Sequence, residues 1–215
     1  GRSDITRGMR LRIEKIDAKL ECWLQHDGSI LDYLRTKDRS AANQMNYISK
    51  YAKYPVYANT DVKFYKDASD GFEEQLLALE KAERFIFIEY HAIEDAISFG
   101  RMKRILAEKV KQGVDVRVLY DDVGSIGFID SVFVKRMESL GIKCRVFNPL
   151  VPVLNMIMNN RDHRKLTVID GKVGFTGGYN LADKYFNLEN PYGHWKDTGV
   201  KLTGDAVSSM TVTIL

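Results

Sequence analysis

Little in these 215 residues offers covalent or metal-based cross-linking, since there are only two cysteines and four prolines. Cys22 and Cys144 stand far apart with no metal-ligand spacing around them, which argues against a disulfide framework and for a reducing compartment. Long apolar runs are missing too. No window holds the eighteen or more uninterrupted apolar residues of a membrane span, and the opening GRSDITRGMRLR contains no signal-peptide core. Charge of one sign is scarce: 32 Lys and Arg stand against 29 Asp and Glu, a net of +3. That is too little for a dense nucleic-acid-binding stripe, so no nucleic acid is expected as partner, while an anionic substrate or surface stays open. What is present is foldable. A hydrophobic share of 45% at low net charge excludes disorder, and the length suits one domain, or one plus an appendage. The chain opens on Gly1 without an initiating Met, so a fragment of a longer protein is expected.

Residues 1–60 read as an extension with helices over 9–23 and 30–34, followed by a polar, Tyr-rich stretch whose tyrosines are expected to pack. From residue 61 helix and strand patterns alternate. A helix over 71–83 places Phe72, Leu76, Leu77 and Leu79 on one face and leads into the apolar strand 85–90. A helix over 99–112, capped by Gly113, leads into strand 114–120, and a helix over 129–140, capped by Gly141, leads into strand 143–147. Such alternation predicts a largely parallel sheet covered on both faces. Ligands of such sheets sit beyond the carboxyl ends of the strands, which singles out Glu89, His91, Asp121 and Asp122, although acids there also cap helices and fill turns. The apolar, proline-containing loop 149–158 is expected to be buried, and otherwise forms a greasy patch.

Chemistry concentrates further on. Asp170-Gly171 between two alternating apolar runs predicts a hairpin of strands 163–169 and 172–176. Period two then puts His163 and Lys165 on one face, with Thr167 below. Gly177-Gly178 breaks the second strand, and Asn180 is placed to cap a following helix, leaving backbone N–H groups free nearby. An imidazole, an ammonium and backbone donors facing one space suit phosphoryl transfer without a metal. Such an imidazole needs a carboxylate partner. Asp170, at the turn roughly 23 Å along the strand, is assigned a local structural role, and Asp197, leading into a strand over 200–202, is the better partner. His26, His91 and His194 read as ordinary histidines.

His163-x-Lys165-x4-Asp170 followed by Gly177-Gly178-x-Asn180 resembles the HKD signature of the phospholipase D superfamily. Phe85 to Tyr90, Gly113 to Asp122, Phe147-Asn148-Pro149, Asn160 to Lys165 and His194-Trp195-x-Asp197 are similar to bacterial cardiolipin synthases, over about residues 60–215. The resemblance implies an α/β fold: a phospholipase D-like α-β-α sandwich with a mixed, mostly parallel sheet. Residues 61–215 would be a half-domain, and 1–60 an N-terminal helical extension following a membrane anchor. Of its catalytic residues, His163 would be the nucleophile that forms a phosphohistidine or the acid that protonates the leaving alcohol. Lys165 would neutralise phosphate oxygens, Asp170 would complete the motif and Asp197 would orient His163. Asn180, with Gly177 and Gly178, would bind phosphate, with no metal or cofactor. Two phosphatidylglycerols would yield cardiolipin and glycerol at a membrane surface, on the cytoplasmic side of a bacterial membrane, and residues 150–158 would touch acyl chains. The family carries two such motifs and this chain one, so the partner would be a second HKD half of the same protein or a homodimer mate. A single-motif homodimeric phosphodiesterase or nuclease, and a non-catalytic lipid-binding module, are the alternatives.

Overall fold

The structure is a computed structural model, and it describes residues 7–24, 26–150 and 160–215. Three helices open it: α1 (Arg7–Glu21), α2 (Gly28–Lys37) and α3 (Arg39–Ala52). The last two are started by aspartates, since Asp27 accepts from Ser29 N and Asp38 from Ala41 N, each at 2.9 Å. Strand β1 (Thr60–Tyr65) follows, and then the alternating units α4 (Ala68–Glu80), β2 (Phe85–Tyr90), α5 (Ile97–Lys111), β3 (Asp115–Asp121), α6 (Phe133–Ser139) and β4 (Lys143–Phe147). The chain ends with β5 (Lys165–Ile169), β6 (Val173–Gly177), β7 (Gly199–Gly204) and α7 (Val207–Ile214).

The seven strands form one mixed sheet in the order β1-β7-β6-β5-β2-β3-β4. It is not mostly parallel. Only β2 with β3 and β3 with β4 run parallel, whereas β5 joins β2 antiparallel and β6, β7 and β1 continue that way. The expectation came from the helix–strand repeats, which supply only β2, β3 and β4. The other half is built from a hairpin and from strands that return without a crossover helix.

Helices lie on both faces, as the alternation of β2 requires. Ile86, Ile88 and Tyr90 pack with Phe72, Leu76 and Leu79 of α4, Phe99, Met102 and Leu106 of α5, and Phe133 and Met137 of α6. Phe87 points the other way and packs with Val168 and Val207, beneath α7. Tyr54 and Tyr57 tie the N-terminal segment to α7, through bonds of 3.0 Å to the Thr213 hydroxyl and 2.9 Å to the Ser209 hydroxyl. Tyr33, Tyr47 and Tyr51 are exposed, so the expected packing role holds for only some of the tyrosines. Helix α3, strand β1 and the start of α7 at Val207 were not anticipated. No helix starts at Asn180; a 3-10 turn, Asp183–Phe186, follows instead. The loop expected to be buried, 149–158, lies almost wholly outside the described residues.

Candidate functional site

The hairpin turn forms where Asp170-Gly171 requires it, with φ of 55° and 69° at the two positions. The left-handed backbone turns the Asp170 carboxylate toward the start of β2. It accepts from Glu83 N at 2.9 Å, Arg84 N at 2.7 Å and Phe85 N at 2.9 Å. Partial burial would raise its pKa, but the three backbone donors outweigh that and hold the carboxyl below its ordinary value. Asp170 therefore fastens the hairpin to β2, at the opposite end of β5 from His163.

At that other end, His163 immediately precedes β5 and is exposed, while Lys165, the first residue of the strand, is buried. The Lys165 ammonium donates to His163 O at 2.9 Å. Both residues line a cleft of about 520 Å³ together with Tyr54, Leu166, Thr176 and Met210. Burial pushes the Lys165 pKa down, and Asp162 and Asp197 offset this by favouring the charged form. The Lys165 ammonium in turn lowers the pKa of His163, with lesser contributions from partial burial and His91, against the opposing pull of Asp162 and Asp121. The His163 imidazole is accordingly neutral at pH 7, the form that has a lone pair for nucleophilic attack.

The charge of Asp197 acts on Lys165, where it favours the ammonium. Its Oδ1 accepts from Thr198 N at 2.8 Å, and Trp195 Nε1 lies 3.5 Å from Oδ2. Among the described residues no hydrogen bond joins it to His163. Its carboxylate lies against the bare Cα of Gly178, where an added Cβ would sit 2.0 Å from Oδ1. Gly177 ends β6 opposite Gly199. Asn180 is buried and bonded within the fold: Oδ1 accepts from Ala92 N at 3.1 Å, and Nδ2 donates to the Tyr185 hydroxyl at 2.9 Å. His163, Lys165, Gly178 and Asp197 are thus gathered, Asn180 locks two loops beside them, and Asp170 is remote. Among the described residues no three His, Cys, Asp or Glu side chains converge as a metal site.

Beneath His163 lies a carboxylate network that motif reasoning missed at Asp162 and Arg164. Glu89 is fully buried, and burial followed by the neighbouring Asp162 pushes its pKa up to about 8. Arg164 Nη2 comes within 2.6 Å of Glu89 Oε1, but without hydrogen-bond alignment, so both Glu89 oxygens and Asp162 Oδ2 lack a donor. A proton held by Glu89 and shared with Asp162 satisfies one Glu89 oxygen and Asp162 Oδ2, while Glu89 Oε1 faces the Arg164 guanidinium. Asp162 itself stays ionised: burial opposes this, but Glu89 and Arg164 hold its carboxyl below the usual value. Its backbone N–H donates to Asp121 Oδ2 at 2.8 Å, and Arg164 Nε donates to Asp162 Oδ1 at 3.0 Å. These bonds fix the segment that presents His163. Glu89, His91 and Asp121 had been singled out by their place beyond strand ends; Asp162 carries no such signal, because residues 160–164 precede their strand.

A two-faced α/β sandwich with a histidine and a lysine beside a cleft at the end of its central strand defines the class, an enzyme fold suited to phosphodiester chemistry. The chain belongs to the phospholipase D-like family: the family model described as "Cardiolipin synthase, PLD-like domain" matches residues 76–194. It is 38% identical to a cardiolipin synthase of Oceanobacillus iheyensis over 152 residues, 71% of this chain and 32% of that protein. It is 40% identical to an uncharacterized protein of Streptococcus mutans over 209 residues, 97% of this chain and 45% of that one. The chain thus spans less than half the length of these curated relatives. Among solved structures, NucT from Helicobacter pylori matches with a TM-score of 0.55 at 12% identity, over 72% of this chain and 92% of that one. Phosphatidylserine synthase from Haemophilus influenzae matches at 0.52 and 13%, over 71% and 35%. At such identities these two show the fold alone.

Proposed function

We propose that this chain is one half of a phosphatidyltransferase that joins two phosphatidylglycerols into cardiolipin and glycerol, with His163 as the nucleophile. Residues 61–215 form the catalytic half-domain and residues 1–60 an N-terminal extension, and the catalytic domain works on the cytoplasmic face of a bacterial membrane. The observation that carries the reading is His163 at a cleft, its basicity lowered by the Lys165 ammonium that is bonded to its carbonyl, in a chain of this family. A ring nitrogen of His163 attacks phosphorus, and the bond from phosphorus to the glycerol oxygen breaks. The departing oxygen takes a proton from an acid on the second HKD half, or on a homodimer mate. Lys165 balances charge on the phosphoryl oxygens, and Asp197 acts through Lys165. Asn180 supports the loops that frame the phosphate, with Gly177 and Gly178 offering backbone room beside it. The headgroup hydroxyl of a second phosphatidylglycerol then attacks phosphorus, its proton returns to the acid, and the nitrogen–phosphorus bond breaks. The chemistry requires no metal or cofactor. Mass spectrometry of products from phosphatidylglycerol vesicles incubated with the full-length protein tests the reading. Cardiolipin that disappears with His163→Ala is expected. DNA hydrolysis with lipid untouched would replace it by the homodimeric phosphodiesterase, and unchanged product with His163→Ala would remove His163 from the chemistry.

A further inference from the structure

His91 directly follows β2, and the steps just described give it no task. Its ring centroid lies 4.7 Å from that of His163, with the rings tilted by 50°. Three contacts hold it there. Its backbone N–H donates to Arg164 O at 3.0 Å, and its ring Nδ1 lies 2.7 Å from Asp162 O. A carbonyl can only accept, so Nδ1 carries a proton and donates it there. The third contact is with backbone: Gly124 comes so near that an added Cβ would sit 2.6 Å from the His91 ring Cε1. Gly124 is itself held, its N–H donating to Asp121 Oδ1 at 3.0 Å. The His91 ring cannot swing away from His163 without losing Asp162 or striking Gly124. The His163 ring, by contrast, is exposed and has no hydrogen bond among the described residues, so its rotamers are limited only by what it packs against.

We propose that His91 is a positioning residue for His163, a pinned ring wall that restricts the reactive imidazole to the orientation in which its nitrogen meets phosphorus. The proposal rests on the reading of His163 as the reacting group. The charges around His163 divide into two sets, with the lowering set the stronger. Lys165 on β5 and His91 after β2 disfavour its cationic form, while Asp162 on its own segment and Asp121 at the end of β3 favour it; α7, which lines the same cleft, carries no charge. Loss of His91 therefore removes one group that keeps His163 neutral.

The test uses His91→Phe, which keeps a ring but neither a titratable nitrogen nor the bond to Asp162, and His91→Ala, which removes the wall as well. In the 215-residue chain, the His163 titration midpoint, read from its imidazole C–H resonance, should rise by a few tenths of a pH unit in both. In the full-length protein, His91→Ala should lower kcat about tenfold with KM unchanged, and His91→Phe should recover part of it. Rates are read on phosphatidylglycerol vesicles and on bis(4-nitrophenyl) phosphate. Turnover of the diester without cardiolipin would sink the lipid reading alone, and the kcat split on the diester would still judge His91. An unmoved midpoint, an unchanged kcat, or a loss confined to KM in folded variants would overturn the positioning role. If His91→Ala does not fold, His91→Phe carries the same test: a raised midpoint with lowered kcat supports the role, and neither change overturns it.

Discussion

Asp170 and Asp197 carry the same charge in different physical settings. Asp170 gathers three backbone N–H groups at the start of β2, whereas Asp197 lies in the field of a buried ammonium. Asp170→Asn should cost about 1–3 kcal/mol of stability with little change in rate per folded molecule, because an amide keeps one acceptor of two. The folded pKa of Asp170 lies below its unfolded value, so its contribution is full above about pH 4 and is lost as pH falls through the folded value. The difference in Tm between wild type and variant should narrow below about pH 4. Asp197→Asn should instead lower the rate by about 10–100-fold at nearly unchanged Tm. Equal rate losses at equal Tm would reject the division. Glu89 has the opposite sign to Asp170. With its folded pKa raised to about 8, the native state holds a proton that the unfolded state has released, so stability falls as pH rises from about 4.3 to about 8. Glu89→Gln should flatten that slope in urea titrations at stepped pH. An identical slope in wild type and variant would show that Glu89 is ionised throughout.

Among the elements, those with a strong local signal were legible. Strand 143–147 matches β4 residue for residue, strand 85–90 matches β2, and the Asp170-Gly171 turn stands where the dipeptide calls for it. Helix α3 escaped although it is amphipathic, because it buries only Ala42 and its apolar positions are interspersed with polar residues and tyrosines. Strand β1 escaped for a related reason, since it lies at the sheet's edge with Val62 and Phe64 exposed, so no buried face disciplines its alternation. The antiparallel half of the sheet depends on pairings between distant segments, which no local period encodes. In the site, the motif made His163 and Lys165 legible, but the contact of Asp197 with the end of β6 depends on tertiary packing. That contact can be tested at Gly178. Gly178→Ala would drive a methyl into Asp197, so its rate loss should match that of Asp197→Asn, and the double variant should lose no more than either single one. Additive losses would mean that the two residues act separately.

As a whole molecule, the described fold presents one HKD histidine, and in-line displacement at phosphorus needs a nucleophile on one side and an acid on the other. Dilute monomer of this chain should therefore be folded yet slower in transfer by at least about 10²–10⁴-fold than the same chain supplied with a second HKD half. Full turnover by a monomer verified by light scattering would overturn that. The pairing of β1 with β7 has a consequence for how the chain is made. Thr60 is in register with Gly204, about 140 residues later, and at about 5–20 residues per second a ribosome takes roughly 7–30 s to supply the partner. Until then β1 offers an open edge bearing Val62 and Phe64 to any other nascent strand, while β2, β3 and β4 can already pair. The sheet closes last along its first strand, so the hazard of misassembly falls in the interval between the emergence of β1 and that of β7.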